Sequence, residues 1–511
     1  MGYVIGVDIG TSSTKAVLFD TQGTQVAQAA QSYPLHAPVP GAAEQSANDI
    51  LQATLQTVAE VMSASGIARS ELLGIAFSAA MHTLLLVDEA NAPITPMYTW
   101  ADNRSDRWAK KVASQIPDLY ARTGIPPHPM SPVVKLAWLC DEQPQVFVRA
   151  ARVVAIKEYV LHHWCGEWVI DQSMASTTGL LNVRSLDWDE AVLAAAGIDR
   201  QQLSVLVPTT HQLAVNPGPA AKMGIAEGTP VIVGASDGVL ANLGVGAIDS
   251  TTAAITLGTS GAVRRVVAKS MVDRLGDIPA QLFCYALTED VWVMGGAVNN
   301  GGIALQWVRD RLVPFSADDE DNRCEPIRST YARLTEMASA IAPGAEGLIF
   351  HPHLLGERAP LWDGQARASF FGLGRYHTQR HLVRAVMEGV LYNLQMVFSA
   401  LEAAGGEVSV LRAAGGFAQS DLWQQMLADI FDRTVLVPQV IESSALGAAV
   451  LALVALGEWD ELSQVQTHVA IAQTRHPIAQ NVRRYQKLLP IYGELLAGFQ
   501  EQYAALQAAI S

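Results

Sequence analysis

Short apolar runs of strand length alternate with segments of helical period along most of this chain, a pattern that predicts a layered α/β protein. Val4 to Ile9 reads as a buried strand and Lys15 to Phe19 as a second, and Thr21, Gln22 and Gly23 turn the chain into a third. Ser46 to Asp49 has the form of a capping box that opens a helix ending near Ser65. Leu73 to Ser78 and Leu84 to Asp88 follow as strands, and Asp102 to Gln115 as a helix. Ile125 to Pro132 is a proline-rich loop. Arg152 to Ile156 is a strand leading into a helix over Lys157 to Trp164. In the second half, a strand over Leu348 to Phe350 runs into a long polar loop, His351 to Pro360. Helices are expected over Leu382 to Leu401, Asp421 to Phe431 and Ser444 to Leu456, and the charged stretch 316–329 reads as a surface loop.

At 511 residues the chain exceeds one ordinary core and predicts two domains. The net charge of −15 argues against nucleic acid or an anionic membrane as partner, while leaving room for a local cationic pocket. Cys140, Cys165, Cys284 and Cys324 are widely spaced, which reads as a reducing compartment without structural zinc. The longest apolar run, Ala445 to Leu456, is too short to span a bilayer. With a first strand so near the first residue, a signal peptide is not expected and a cytoplasmic location is.

The densest chemistry lies where the first strand ends. Gly10 permits a sharp turn close to a ligand, and Thr11, Ser12, Ser13 and Thr14 set hydroxyls beside free backbone N–H groups, a nest for phosphate oxygens. Asp8, at the strand end, can hold magnesium through water. Alone, such a turn is equally an ordinary hairpin. Leu257, Gly258, Thr259 and Ser260 repeat it after a second apolar strand, which suggests a duplicated domain. Between the copies, the strand from Pro230 ends in a small-residue turn bearing Asp237, followed by a helical segment, Val239 to Leu243. An acid at a strand C-terminus faces the ligand crevice of an α/β sheet; a helix N-cap is the other role open to Asp237, and the two are compatible. Gly415 and Gly416 end a further strand, where flat, close approach of a ligand is allowed.

In this order, these motifs resemble the FGGY carbohydrate kinases. Met130 to Glu142, with Pro132, Lys135, Trp138 and Asp141, is similar to the family's first signature; Ala368 to Leu373 with His381 to Glu388 is similar to the second. The resemblance implies an actin-like ATPase fold: two duplicated ribonuclease H-like domains, here 1–245 and 246–511, with an active-site cleft between them. It implies ATP and Mg2+ as cofactors, and it adds Gly302, Gln306 and Ser420 to the adenosine site. Within the family, Phe77 to His82, Thr99 to Ser105, His128 to Pro132, Gly234 to Leu240 and Val298 to Gly302 resemble the gluconate-phosphorylating branch. Xylulose kinases usually carry Gln before the Met-His pair and Asn after the catalytic Asp, where this chain has Ala80 and Gly238.

Phosphoryl transfer to a hydroxyl is mostly positioning and charge neutralisation. The expected parts are Asp237 as base, Asp8 for hydrated magnesium, Gly10, Thr11 and Ser12 for the transferring phosphate, and Gly258, Thr259, Gly415 and Gly416 for the leaving nucleotide. Lys15 faces either phosphate or solvent. Met81, His82, Trp100, Asp102 and Arg104 are candidates for the sugar acid, with Trp100 as an apolar wall. His82 is alternatively a satisfied structural histidine, and Arg104 alternatively pairs with Asp102 or Asp106. Lys157, His128, Asn299 and Asn300 are secondary candidates. Glu357 and Arg358 either close the cleft or form an internal ion pair. The expected partners are a small sugar acid and ATP, without nucleic acid or membrane, and a homodimer is left open. The rival readings are a kinase for xylulose or another ketose or polyol, and a non-catalytic sugar sensor on the same scaffold.

Overall fold

Strands β1 (Tyr3–Ile9), β2 (Ser13–Asp20), β3 (Gln25–Ser32), β4 (Leu72–Ala79), β5 (Gln212–Ala214) and β6 (Pro230–Ser236) form one sheet in the order β5-β6-β4-β1-β2-β3. The computed structural model describes residues 2–278, 281–313, 327–439 and 442–510. A second sheet contains β7 (Thr252–Leu257), β8 (Gly261–Ala268), β9 (Val291–Val298), β10 (Val410–Ala414), β11 (Thr434–Pro438) and β12 (Ile471–Arg475), in the order β9-β8-β7-β10-β11-β12, with a seventh strand, Phe283–Ala286, on the outer edge of β9. The connectivity repeats. β1 runs antiparallel to β2 and parallel to β4, as β7 runs antiparallel to β8 and parallel to β10. The duplication suggested by two short turns thus extends to whole sheets.

Packing divides the chain into two compact units that interleave along the sequence. The first comprises Met1–Asp249, Val266–Met294 and Glu442–Ala470; the second comprises Ser250–Arg265, Gly295–Ile441 and Ile471–Ser511. The helix Ser443–Ala455 explains why a late segment joins the first unit. It is apolar on every side and must be buried all round. Small residues let it approach closely: a Cβ on Gly447 would stand 2.1 Å from the Leu240 carbonyl oxygen, and one on Gly244 would stand 1.8 Å from that of Ser443. The helix is thereby wedged against Asp237–Gly244 and β1, the two elements that carry Asp237 and Asp8.

Other expectations shift. The helix expected from Asp102 begins at Asp106, because the Asp102 carboxylate is spent on tertiary bonds rather than on a cap. The polar loop 351–360 is largely interior, with His351, His353 and Glu357 at most 1 % exposed. Residues 316–326 of the charged stretch lie outside the described residues, and Ile327 opens a helix that runs to Ser339. Cys324 also lies outside them; Cys140, Cys165 and Cys284 are free thiols. Among the described residues, no helix is long and apolar enough to cross a membrane.

Candidate active site

The parallel register of β1 on β4 sets Asp8 beside Ser78, whose hydroxyl donates to Asp8 Oδ1 at 2.6 Å. Burial pushes the Asp8 carboxyl above its ordinary range; the Ser78 bond and Lys15 oppose the shift, and Glu442 adds to it. A cation at this carboxylate would relieve the cost of burial. Among the described residues no group of three or more acidic, histidine or cysteine side chains gathers to hold a metal. One carboxylate with no protein cage suits a hydrated magnesium that takes its other ligands from water and phosphate.

After Asp8 the chain turns tightly, the Gly10 N–H donating to the Ser13 carbonyl at 3.0 Å. The Tyr33 hydroxyl donates to Gly10 O at 2.5 Å, and Gln45 Nε2 to Thr11 O at 2.8 Å, so the turn's carbonyls are tied down. Ser12 is exposed. Lys15 Nζ lies 2.9 and 2.8 Å from the two carboxylate oxygens of Glu442, while its side chain stays 38 % exposed.

Asp237 is the first residue of the helix Asp237–Gly244, and Ser236 takes the N-cap position expected for it. A bulge in β6 aims it: the register on β4 shifts between Ile232 and Ala235, and Gly234 sits at φ +75° with the Phe77 carbonyl where a Cβ would go. Asp237 Oδ1 accepts from the Gly238 N–H at 2.7 Å. Behind it, the Ser173 and Ser236 hydroxyls lie 3.0 Å apart. Lys157, fully buried, pairs with Asp171 at 2.5 Å. Burial lowers the Lys157 pKa, opposed chiefly by Asp171 and then by Glu158 and Asp237.

The sugar candidates divide. Asp102 is wholly buried, its Oδ2 accepting from the Ala43 N–H at 3.0 Å and from Arg104 at 2.6 Å. Arg104 also pairs with Glu44 at 2.5 Å and lies over the Tyr98 and Trp138 rings. Its charge is answered twice, by Asp102 and by Glu44 rather than by Asp106. The Trp100 indole N–H donates to Thr11 Oγ1 at 3.0 Å. His82 is buried at φ +61°, with Nδ1 2.7 Å from the Thr177 carbonyl and Nε2 3.1 Å from the Tyr285 hydroxyl. A carbonyl only accepts, so Nδ1 carries a proton, and both ring nitrogens have partners. Met81 is half-buried in the adjoining turn.

In the second unit, Leu257 pairs with Gly261, so the second turn is one residue shorter than the first, where Ile9 pairs with Thr14. The Gly258 N–H donates to Ser260 O at 2.9 Å. The start of the helix Gly302–Trp307 grips the turn: Gly302 N–H donates to Gly258 O at 2.7 Å, and Gly301 N–H to Thr259 O at 3.1 Å. Beside it opens a cavity of about 970 Å³ lined by Gly258, Thr259, Gly302, Gln306, Gly416 and Ser420. Gly415 stands behind this lining, at φ +101°, with the Leu257 carbonyl 2.5 Å from where a Cβ would be. The Ser420 hydroxyl also caps the helix Asp421–Phe431 by accepting from Trp423 N–H. Tyr331, Thr335, Phe417, Trp423 and Gln473, none of them a sequence-derived candidate, also line it. The adjacency of Phe417 to the glycine pair was a usable signal; Tyr331, Thr335 and Gln473 carry none.

Glu357 and Arg358 form no ion pair with each other. The Glu357 carboxylate takes bonds from Asn299, Asn300, Asn393 and His353, while Arg358 donates to the Val298 carbonyl at 3.2 Å.

A duplicated fold, a hydroxyl-rich turn beside a lone carboxylate and a cavity of nucleotide size at a second turn define an ATP-dependent sugar phosphotransferase class. The chain belongs to the FGGY family of carbohydrate kinases, whose N-terminal domain matches residues 3–244 and C-terminal domain residues 253–456. It is 44 % identical to the gluconokinase of Bacillus subtilis (strain 168) over 508 residues, covering 99 % of this chain and 97 % of that one. It is 28 % identical to the xylulose kinase of the same strain, over 99 % of both chains. The crystal structure of gluconate kinase from Lactobacillus acidophilus superposes with a TM-score of 0.91 at 34 % identity, covering 99 % of both chains.

Proposed function

We propose that this chain transfers the γ-phosphoryl group of ATP to the 6-hydroxyl of D-gluconate, giving 6-phosphogluconate and ADP, in the cytoplasm. The observation that carries this reading is the 44 % identity to gluconokinase across nearly the whole of both chains, against 28 % to xylulose kinase. Asp237 accepts the hydroxyl proton as the sugar oxygen attacks the γ-phosphorus, and the bond to the bridging oxygen breaks as ADP leaves. The Gly10–Thr11–Ser12 turn holds the transferring phosphate by its N–H groups and hydroxyls. The Gly258–Thr259 turn holds the diphosphate, and the cavity beside Gly416 takes the adenosine. Asp8 would hold a hydrated magnesium ion, which when bound would neutralise charge on the phosphates. The first compact unit carries the sugar, the base and the transferring phosphate, and the second carries the diphosphate and adenosine.

A coupled ADP-release assay over gluconate, xylulose, ribulose and glycerol tests the substrate. A site built for a carboxylate can reject an analogue lacking it by roughly 10⁴-fold. Gluconate is expected to exceed xylulose clearly in kcat/KM; the reverse ranking would make this a ketose kinase and reduce Ala80 and Gly238 to neutral variation.

A further inference from the structure

We propose that Glu357 is a positioning residue for the nucleotide turn Gly258–Ser260, acting through Asn299 and Asn300. The inference rests on reading that turn as the diphosphate site.

Glu357 is 1 % exposed, so its carboxylate touches no substrate. Its Oε1 accepts from the Asn299 N–H at 2.5 Å and from its neighbour Arg358 N–H at 2.9 Å. Its Oε2 accepts from Asn393 Nδ2 at 2.9 Å and Asn300 Nδ2 at 3.2 Å, and lies 3.3 Å from His353 Nδ1. Asn300 is fully buried and bonded on both sides of its amide: Nδ2 donates to Gly356 O at 2.7 Å, and Oδ1 accepts from Leu355 N–H at 3.1 Å. The carboxylate thus locks loop 354–358 to residues 299–300.

The residues that follow are the ones that grip the nucleotide turn. Gly301, Gly302 and Ile303 donate their N–H groups to Thr259 O, Gly258 O and Thr259 O at 3.1, 2.7 and 3.2 Å. Two bonded layers therefore lie in series: the carboxylate fixes 299–300, and 301–303 fix 258–259. Only an ionised carboxylate accepts on every side without donating. Glutamine in its place would turn an N–H₂ group toward other donors, and charge-assisted bonds would become weaker neutral ones. A phosphate held by backbone N–H groups is sensitive to small displacements of that backbone, so loosening the second layer is felt at the nucleotide.

The test is Glu357→Gln in the full-length chain, with ADP affinity by calorimetry, KM for ATP, KM for gluconate and the melting temperature. Gly258→Val is measured beside it. The expected result is a rise of about tenfold or more in the ADP Kd and in the KM for ATP. The KM for gluconate is expected to change by no more than about twofold. A merely structural role would lower the melting temperature without this split. If Gly258→Val weakens ADP binding and folded Glu357→Gln does not, the proposal is overturned and the reading of the turn stands. If neither weakens it, both fall. Equal rises in the two KM values would also overturn the proposal. Should Glu357→Gln not accumulate as folded protein, Asn300→Ala carries the same measurement with the same outcomes.

Discussion

Lys15 and Glu442, more than 400 residues apart in sequence, meet through two contacts of 2.9 and 2.8 Å at the mouth of the helix Ser443–Ala455. The pair removes from the phosphate turn a cation that its place beside Asp8 had offered it. Lys15→Met is therefore expected to change the KM for ATP by less than about threefold. The double-mutant cycle with Glu442→Gln should return a coupling of about 0.5 kcal/mol, given that the Lys15 side chain is 38 % exposed and screened by solvent. A tenfold rise in that KM would give Lys15 back to the phosphate.

Asp237 stands at the head of its helix, with Ser236 in the cap position and its own Oδ1 accepting from the Gly238 N–H. Asp237→Asn is expected to lower kcat by about 10²- to 10⁴-fold, the range for a positioned base, with little change in either KM. Stopped assays on the folded variant decide this, and near-normal turnover would remove Asp237 from the chemistry.

At Gly258, a Cβ would meet nothing within 4 Å, because it would point into open space beside the turn. Gly258→Val should therefore fold normally and fill the space meant for diphosphate. Its KM for ATP should rise at least about tenfold more than its KM for gluconate, since a ground-state contact is lost on the nucleotide side alone. Parallel rises in both would make the second turn a structural echo of the first.

Burial raises the Glu158 pKa to about 8 from its ordinary 4.5, opposed by Ser204, the Ala155 N–H and Lys157 and reinforced by Asp171. The native state keeps a proton that the unfolded chain loses between these values, so stability falls as pH rises across that window. Glu158→Gln has no such proton to lose. Urea unfolding at pH 5 and pH 8.5 should show the wild type losing more stability than the variant, by more than about 1 kcal/mol. Equal losses would mean that the carboxyl ionises normally.

Sequence by itself determined the layered α/β class, the two tight turns after β1 and β7, the strand-end acids Asp8 and Asp237, and the helix starts near Ser46 and at Asp421. All of these follow from local causes: turn chemistry, caps and the period of apolar residues are set by neighbours within a few positions. Six of the residues named for the nucleotide, Gly258, Thr259, Gly302, Gln306, Gly416 and Ser420, do line one cavity. Tertiary structure alone decided which charges are spent. Arg104 meets Asp102 and Glu44, Lys15 meets Glu442, and His82 meets the Thr177 carbonyl and the Tyr285 hydroxyl. It also turned the polar loop around Glu357 into a buried bonding centre and brought Gln473 to the wall of the cavity beside Gly258. A side chain's partner is fixed by the packing of distant segments, and the free energy of a buried charge depends on that partner, which no local pattern in the chain encodes.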